Sequence, residues 1–265
     1  MKPENPYARS FIRELAESGR YSFSSHDARS ALGVSADAAR VSLHRLIREG
    51  EIASPARGFY VIVPPEYRSL GCLPADQFIP ALMQRSGLPY YAGLLTAAQY
   101  HGAAHHRPQE FQVMVDTRHL RIHCGRVRVA FFMRKRLRVI PLQNFNTPRG
   151  TITVSSPEAT AFDLVGYQAQ VGGLDQIVTV LSELAERIDP LRLVVAARAA
   201  PMPWSQRLGH LLERAGAAEK TANLKSFVKK SARETVVLLS GAPADRARRD
   251  ADWKLIVNAD VEAEA

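Results

Sequence analysis

The sequence predicts an α+β protein in which an N-terminal winged helix-turn-helix is followed by a larger mixed α/β domain. Three observations favour this fold class. A helix–helix–hairpin pattern fills residues 1–63, the pair Pro64–Pro65 ends it, and helical and strand-like patterns alternate afterwards. The 265 residues suffice for two domains at roughly 150 residues each. A composition of 46% hydrophobic and 23% charged residues is ordinary for a globular chain.

Composition also excludes several classes of protein. No run approaches the roughly 20 apolar residues of a membrane helix, and the N-terminus has no apolar leader. The two cysteines, Cys72 and Cys124, cannot build a disulfide framework, and CxxC zinc spacing is absent. We therefore expect a cytoplasmic protein without membrane contact. The excess of 35 Lys+Arg over 26 Asp+Glu favours polyanionic partners, nucleic acid first.

Two helices are predicted at the N-terminus. The first ends before Gly19, because aromatic and aliphatic residues recur at helical spacing up to that glycine. Ser24 or Ser25 can cap a second, short helix at residues 27–32, with an aspartate favourable near its positive end. Gly33 then breaks that helix after about two turns.

A longer third helix follows the tight turn. Ser35 can cap it, residues 36–49 can form it, and Gly50 stops it. Four apolar residues fall on one face of this helix, namely Ala39, Leu43, Leu46 and Ile47. The opposite face is polar and largely basic.

A β-hairpin completes the N-terminal segment. Residues 52–53 and the β-rich run 59–63 flank a turn at 55–58 that contains proline and glycine. The order of helix, short helix, glycine turn, longer helix and hairpin is typical of a winged helix-turn-helix. In that arrangement the longer helix enters the major groove of DNA.

The polar face of the third helix and the hairpin turn supply the predicted DNA contacts. Arg40 and His44 are the candidates for base contacts, and Arg45, Arg48 and Arg57 for positioning on the backbone. The full set of DNA-binding candidates is Ser35, Asp37, Arg40, His44, Arg45, Arg48 and Arg57. A winged helix used only for protein contacts remains the alternative, since residues 1–63 carry 9 Lys+Arg against 7 Asp+Glu.

The prolines define three predicted segments. The DNA-binding domain comprises residues 1–63, a linker residues 64–74, and a C-terminal α/β domain residues 75–265. Helices are expected in this last domain at 75–86, 94–100, from Ser156, at 174–188, from Asp189 and at 204–215. Strands are expected at 111–115, 120–123, 127–133, 151–154, 236–239 and 253–257.

The densest positive charge lies in the predicted C-terminal domain. Between residues 118 and 138 there are eight basic residues and no acidic one. They are Arg118, Arg121, Arg126, Arg128, Arg134, Lys135, Arg136 and Arg138. Strand alternation would place Arg126 and Arg128 on one face. Such a cluster can grip DNA phosphates, grip RNA phosphates, or form a solvated surface, and the sequence leaves all three open.

Motifs for catalysis, metal binding and cofactor binding are missing. His101 and His105 have a spacing that suits a helical metal site, but Gly102 stands where a zinc peptidase motif needs glutamate. No phosphate-binding loop, dinucleotide fingerprint or nucleophile elbow occurs. We therefore predict no catalytic residues, no metal and no cofactor.

Seven segments, in order along nearly the whole chain, resemble the AbiEi antitoxin family, the regulator partners in type IV toxin–antitoxin systems. They are Gly58–Arg68, Pro89–Leu95, Tyr100–His105, Ser156–Thr160, Gly172–Asp175, Trp204–Gly209 and Trp253–Asn258. The resemblance implies a protein of phage defence that binds operator DNA at inverted repeats and represses its own operon. It also implies a C-terminal domain that counters a nucleotidyltransferase-like toxin without a stable complex, and it implies no enzymatic residues.

Two other functions compete with this expectation. The chain could be a nuclease or nucleotide-modifying enzyme that its winged helix delivers to nucleic acid, which would require a metal or measurable turnover. It could instead be an interaction module whose C-terminal domain binds a partner protein. Metal content and copurification with the neighbouring gene product separate these alternatives.

Overall fold

The computed structural model describes residues 6–103, 108–245 and 247–261. The helices in these ranges are α1 (Pro6–Glu17), α2 (Ser25–Leu32), α3 (Ala36–Arg48), α4 (Ala75–Ser86), α5 (Leu94–Tyr100), α6 (Pro157–Gly166), α7 (Gly173–Leu184), α8 (Pro190–Ala199), α9 (Met202–Arg214) and α10 (Ala222–Ser231). The strands are β1 (Ser22–Ser24), β2 (Ile52–Ala56), β3 (Phe59–Ile62), β4 (Tyr90–Ala92), β5 (Phe111–Val115), β6 (Ile122–Cys124), β7 (Val127–Met133), β8 (Leu142–Thr147), β9 (Gly150–Ser155), β10 (Val236–Val237), β11 (Arg248–Asp250) and β12 (Leu255–Val257).

The predicted α+β class is confirmed. The N-terminal segment contains α1, α2 and α3 and an antiparallel sheet of order β1-β3-β2. Ser22 pairs with Val61 in this sheet, and Ile52 pairs with Ile62. These elements follow the order predicted for a winged helix-turn-helix. Strand β1 was not predicted, because its three residues are too few to show an alternating pattern.

Aromatic and aliphatic side chains hold the three helices on this sheet. Phe23 of β1 is buried and contacts Phe11 edge-to-face, with ring centroids 5.2 Å apart. Phe23 also stacks on Tyr60 at 5.5 Å. Leu43 and Leu46 of α3 are buried in the same cluster. The apolar face of α3 is thereby turned inward, as its helical period predicts.

Local caps fix the ends of the two central helices. Ser24 caps α2 in a reciprocal capping box: Asp27 N donates to the Ser24 hydroxyl at 3.1 Å, and Ser24 N donates to Asp27 Oδ2 at 2.8 Å. Gly33 ends the helix with a left-handed φ of 61°, a conformation that glycine adopts without strain. Ser35 caps α3 through Ala38 N. These caps were predicted from sequence, and the structure confirms them.

Two further sheets lie in the rest of the chain. One has six strands in the order β6-β7-β5-β4-β9-β8, and the other has three in the order β10-β12-β11. Strands β5 and β7 are parallel, with Phe111 opposite Val129, whereas β6 and β7 form the predicted hairpin. No helix in the described ranges combines the length and the apolar composition needed to cross a membrane.

The chain forms two compact units. The N-terminal unit comprises Met1–Tyr90, Gln109–Met133 and Asn144–Ile152. The C-terminal unit comprises Tyr91–Pro108, Arg134–Gln143 and Thr153–Ala265. The predicted division into a DNA-binding domain (1–63), a linker (64–74) and a C-terminal domain (75–265) stays a prediction.

One arginine ties the turn between β8 and β9 to the N-terminal segment. Arg149 Nη1 donates to Gln77 Oε1 at 2.6 Å, and its Nη2 donates to Glu66 Oε1 at 3.1 Å. Its guanidinium lies 4.1 Å from the Tyr21 ring centroid and 5.4 Å from that of Tyr67. Tyr21 directly precedes β1, so this cluster joins the first sheet to α4 within the N-terminal unit.

Besides β1, four elements were not predicted from the sequence, and one of them is β4, whose three residues are too few to show an alternating pattern. Helix α10 was not predicted, since only Leu224 and Val228 of its residues are buried, and two apolar positions make a thin stripe. Strand β8 contains two asparagines, which strands disfavour. Strand β11 (Arg248–Asp250) contains only charged residues, which give no strand pattern, and it pairs antiparallel with β12.

The capping box makes stability depend on pH. Partial burial opposes the charged form of Asp27, but the Ser24 N–H, the Ser24 hydroxyl and Arg20 outweigh it and lower the pKa of Asp27. A lowered pKa contributes stability that is present above the unfolded value of about 3.9 and is lost as pH falls through the folded value. We expect Asp27→Asn to lack this part of the acid transition in thermal melts between about pH 2 and 6.

Asp116→Asn is the matched control for this experiment, because Asp116 is exposed in the same unit. The control should retain the acid sensitivity of the wild type. An unchanged acid transition in Asp27→Asn would contradict the assignment to the capping box.

Candidate nucleic-acid interface

The exposed face of α3 forms a ridge of mixed polar and apolar side chains. Ala39, Leu43 and Leu46 are buried on the inner face of the helix. The outer face carries, one helical turn after another, Asp37, Arg40, Val41, His44 and Arg48, all exposed. The structure therefore places four of the residues predicted for DNA contact, Asp37, Arg40, His44 and Arg48, on one surface together with Val41. We call these five residues the α3 ridge.

Arg40 is held lightly at the N-terminal half of the ridge. Its Nη2 lies 3.2 Å from Asp37 Oδ1, and the two side chains are 69% and 86% exposed. An ion pair with this exposure contributes little to stability. Breaking it so that Arg40 can contact another group therefore costs little free energy. Asp37 also keeps the guanidinium near the first turn of α3, where helix-turn-helix proteins contact bases.

Arg45 differs from Arg40 in its surroundings. Arg45 Nε donates to Glu49 Oε1 at 3.0 Å, and Arg9 Nη2 donates to the other oxygen of Glu49 at 3.1 Å. The two guanidinium groups hold the pKa of Glu49 below its usual value. This cluster joins α1 to the end of α3, so Arg45 reaches the surface as part of an ion-pair network rather than as a free charge.

The two other predicted residues lie at local turns. The hydroxyl of Ser35 accepts a hydrogen bond from Ala38 N at 3.3 Å, so Ser35 serves the helix cap. Arg57 is exposed at the turn between β2 and β3. Gly58 follows it with a left-handed φ of 68°, and Ser25 N donates to the Gly58 carbonyl at 3.1 Å. The hairpin turn is thus fastened to the start of α2.

Sequence reasoning missed Val41. Its side chain is 67% exposed in the middle of the α3 ridge. An exposed valine between Arg40 and His44 offers methyl groups that suit the methyl group of thymine. The signal was available, since Val41 falls outside the apolar stripe of Ala39, Leu43 and Leu46.

The second basic cluster is divided by the structure. Arg118, Arg121, Arg126 and Arg128 are exposed in the N-terminal unit, and Arg121 pairs loosely with Glu110 at 3.7 Å. Lys135, Arg136 and Arg138 are exposed in the C-terminal unit. Whether these residues contact DNA or RNA stays open.

Arg134, in contrast, is buried. Its side chain is 4% exposed, and its Nε donates to Asp163 Oδ1 at 2.9 Å. Its guanidinium also lies over the Trp204 ring, 4.6 Å from the centroid. The structure thus corrects the grouping of Arg134 with the exposed basic residues between 118 and 138, because its side chain is buried against a carboxylate of α6.

The second oxygen of Asp163 is satisfied as well. Tyr91 donates its hydroxyl proton to Asp163 Oδ2 at 2.6 Å. Burial, with the carboxylate beside it, raises the pKa of Tyr91, so the phenol stays protonated and keeps donating. Burial also raises the pKa of Tyr167 to about 12. Asp163 therefore connects α6 to Tyr91 of β4 and to Arg134.

The described part of the chain contains no group of three or more His, Cys, Asp or Glu side chains that could hold a metal ion. His101 is buried, and its Nε2 lies 2.7 Å from the Ser155 carbonyl. Burial lowers the pKa of His101, which favours the neutral ring in that contact. His105, the other histidine of the considered metal pair, lies outside the described residues.

Two family models match this chain. Residues 10–63, which carry the α3 ridge, match the model described as transcriptional regulator, AbiEi antitoxin. Residues 91–214 match the model described as AbiEi antitoxin C-terminal domain. The two matches together span about two thirds of the sequence.

The chain belongs to the AbiEi antitoxin family.

A solved structure shares the fold of this AbiEi antitoxin. It is the crystal structure of the RV2827C protein from Mycobacterium tuberculosis, with a TM-score of 0.66 and 16% sequence identity. The similarity covers 97% of this chain and 92% of that chain. At this identity the comparison establishes the fold alone. No curated protein matches the sequence.

The buried pair in the C-terminal unit makes a sharp prediction for stability. Asp163→Asn removes the charge that neutralises Arg134, and breaking a buried pair by removing one partner costs about 3–5 kcal/mol. We expect this loss in the free energy of unfolding, measured by urea denaturation. Asp252→Asn is the matched control, because Asp252 pairs with Lys225 and Lys229 while 52% exposed.

The control should unfold at nearly the wild-type urea concentration. Equal stability of Asp163→Asn and Asp252→Asn would show that the Arg134 pair is not a structural requirement.

Proposed function

We propose that this AbiEi antitoxin is a sequence-specific repressor of its own operon. Its N-terminal segment, residues 1–63, acts as a winged helix-turn-helix that binds double-stranded operator DNA. The observation that carries the proposal is the α3 ridge, in which exposed polar side chains lie on a helix whose inner face is buried. The match of residues 10–63 to a transcriptional regulator supports it.

Each residue of the ridge has a chemical role in this proposal. Arg40 donates two parallel hydrogen bonds to O6 and N7 of a guanine, the commonest specific contact in the major groove. His44, one turn further along, contacts the next base edge, and Val41 packs against a thymine methyl group. Arg48 and Arg57 bind phosphates and set the register of the helix in the groove.

The operator is proposed to contain inverted repeats. A pair of helix-turn-helix domains related by a two-fold axis reads two half-sites about 34–36 Å apart, one turn of the DNA. Residues 1–63 have an excess of only two positive charges by their 9 Lys+Arg against 7 Asp+Glu. Charge alone therefore does not explain tight binding, and specificity must come from direct contacts of the ridge.

Replacing Arg40 tests the base-reading role. Arg40→Ala should weaken operator binding by about 1–3 kcal/mol and relax the preference at one base position, because a bidentate contact is lost. The measurement is a fluorescence titration with the DNA upstream of the gene and with its single-base variants. Arg13→Ala, at an exposed position of α1, is the matched control and should bind as the wild type does.

Unchanged affinity and unchanged base preference in Arg40→Ala would remove this residue from the interface. Equal affinity of the wild-type protein for operator and unrelated DNA would contradict the proposal that it is a sequence-specific repressor.

The C-terminal part is proposed to counter a nucleotidyltransferase-like toxin encoded beside this gene, in a type IV system of phage defence. The match of residues 91–214 to the AbiEi antitoxin C-terminal domain supports this role. We propose that the chain acts in the cytoplasm, by binding rather than by catalysis, and without a stable complex with the toxin. The exposed basic residues between 118 and 138 are candidates for nucleic-acid contacts in either activity.

Coexpression with the adjacent gene tests the antitoxin role. We expect the wild-type chain to relieve growth arrest caused by the neighbouring toxin. Arg40→Ala should relieve it equally while releasing repression of an operator-driven reporter, because the two activities use different surfaces. A chain that fails to restore growth contradicts the antitoxin proposal, and stoichiometric copurification with the toxin favours a direct complex.

A further inference from the structure

A cleft opens between the first sheet and the last turn of α4. It has a volume of about 330 Å³ and lies within the N-terminal unit. Strand β1 lines it with Ser22 and Ser24, and α4 lines it with Gln84 and Arg85. Helix α4 lies outside residues 10–63, the segment that matches the transcriptional regulator. The cleft therefore brings a side chain from beyond that segment next to the hairpin.

Arg85 lies beside the hairpin turn. Its guanidinium carbon is 5.9 Å from the Phe59 ring centroid. Its Nη2 lies 3.4 Å from the position that a Cβ on Gly58 would occupy. This is a van der Waals distance, so the Arg85 guanidinium lies beside the backbone of the hairpin turn. Arg57, the predicted phosphate contact of the hairpin, precedes that glycine in the chain and is exposed.

Two arginines line the cleft, Arg20 and Arg85, and they differ in their partners. Arg20 Nη2 pairs with Asp27 Oδ2 at 2.8 Å, and the same carboxylate closes the capping box of α2. That aspartate is therefore already occupied. Arg85 is exposed and has no acidic partner among the residues that the structure describes. The guanidinium group of Arg85, at the rim of the cleft near the hairpin, is thus available to bind an external anion.

We propose that Arg85 binds a phosphate of the operator backbone and extends the DNA interface beyond the winged helix-turn-helix. This inference rests on the proposed operator binding. Together, Arg57 and Arg85 place two guanidinium groups at the hairpin, one from the turn itself and one from α4. Guanidinium groups bind phosphate oxygens through two parallel hydrogen bonds. Contacts of this kind position the protein and add no base preference.

Salt dependence tests a phosphate contact directly. We compare the wild type with Arg85→Gln, which keeps part of the aliphatic stem, and with Arg85→Lys, which keeps the charge. Loss of one phosphate contact should reduce the slope of log affinity against log salt by about one. The ratio of the Arg85→Gln and wild-type dissociation constants should then shrink roughly threefold between about 50 and 200 mM salt.

Three further readouts separate a phosphate contact from a structural role. Arg85→Gln should weaken operator and unrelated DNA by the same factor, whereas Arg40→Ala weakens the operator selectively. Arg85→Lys should restore the salt slope. Arg13→Ala, the exposed control on α1, should leave the slope unchanged. Thermal midpoints within about 2 °C of the wild type show that each variant is folded.

The outcomes distinguish this inference from the proposed function. A wild-type protein that selects its operator, with Arg85→Gln unchanged in affinity and slope, overturns only the role of Arg85. Weaker binding at an unchanged slope also overturns it, since that result indicates altered packing. Absence of DNA binding by the wild type overturns both proposals. The last measurement is a calorimetric titration with inorganic phosphate. If the wild type binds phosphate, Arg85→Gln does not, and both bind the operator with the same affinity, then Arg85 binds a free anion. That result overturns the proposed DNA contact.

Discussion

Helix α6 is buried from Pro157 to Val165, and the C-terminal unit is organised by the need to satisfy its polar side chains. A buried charge without a partner is far more costly than the pair it belongs to. Asp163 accordingly receives Arg134 on one oxygen and Tyr91 on the other. Glu158 accepts the Ser156 hydroxyl and the backbone N–H that precedes α8. These contacts fix the helix against several neighbouring segments at once.

The packing around α6 permits no side chain at two glycines. A Cβ on Gly166 would lie 2.2 Å from Trp204, and a Cβ on Gly209 would lie 2.1 Å from Trp253. Trp204 is the ring over which Arg134 stacks, so close packing and the buried ion pair depend on the same side chains. Trp253 is fully buried and donates its indole N–H to a carboxylate of α9. The two tryptophans are therefore structural.

The N-terminal segment is held together by different means. Its helices end at local caps, its core is a small aromatic cluster around Phe23, and Arg149 joins it to the rest of the N-terminal unit. The outer face of α3 takes no part in these contacts. Arg40 on that face has only an exposed, weak ion pair, whereas Arg134 forms a buried one.

Features that depend on neighbours a few residues away could be predicted from the sequence. Ser24 and Ser35 cap helices, Gly33 ends one, and the helical period of α3 separates its buried leucines from its polar ridge. These interactions involve residues that are close together in the chain, so they can be recognised from the sequence. The exposure of Arg40 could be predicted for that reason.

Which charged side chains are exposed depends instead on contacts between residues far apart in the sequence. Arg134 and Asp163 are 29 positions apart, and Tyr91 and Asp163 are 72 apart. No periodic pattern marks such pairs, so a buried arginine looks like its exposed neighbours in the sequence. The same holds for Arg85, whose place beside the hairpin follows from how α4 packs against the first sheet. The physical reason is that burial and charge compensation are set by long-range packing, whereas caps and periods are set by the adjacent backbone.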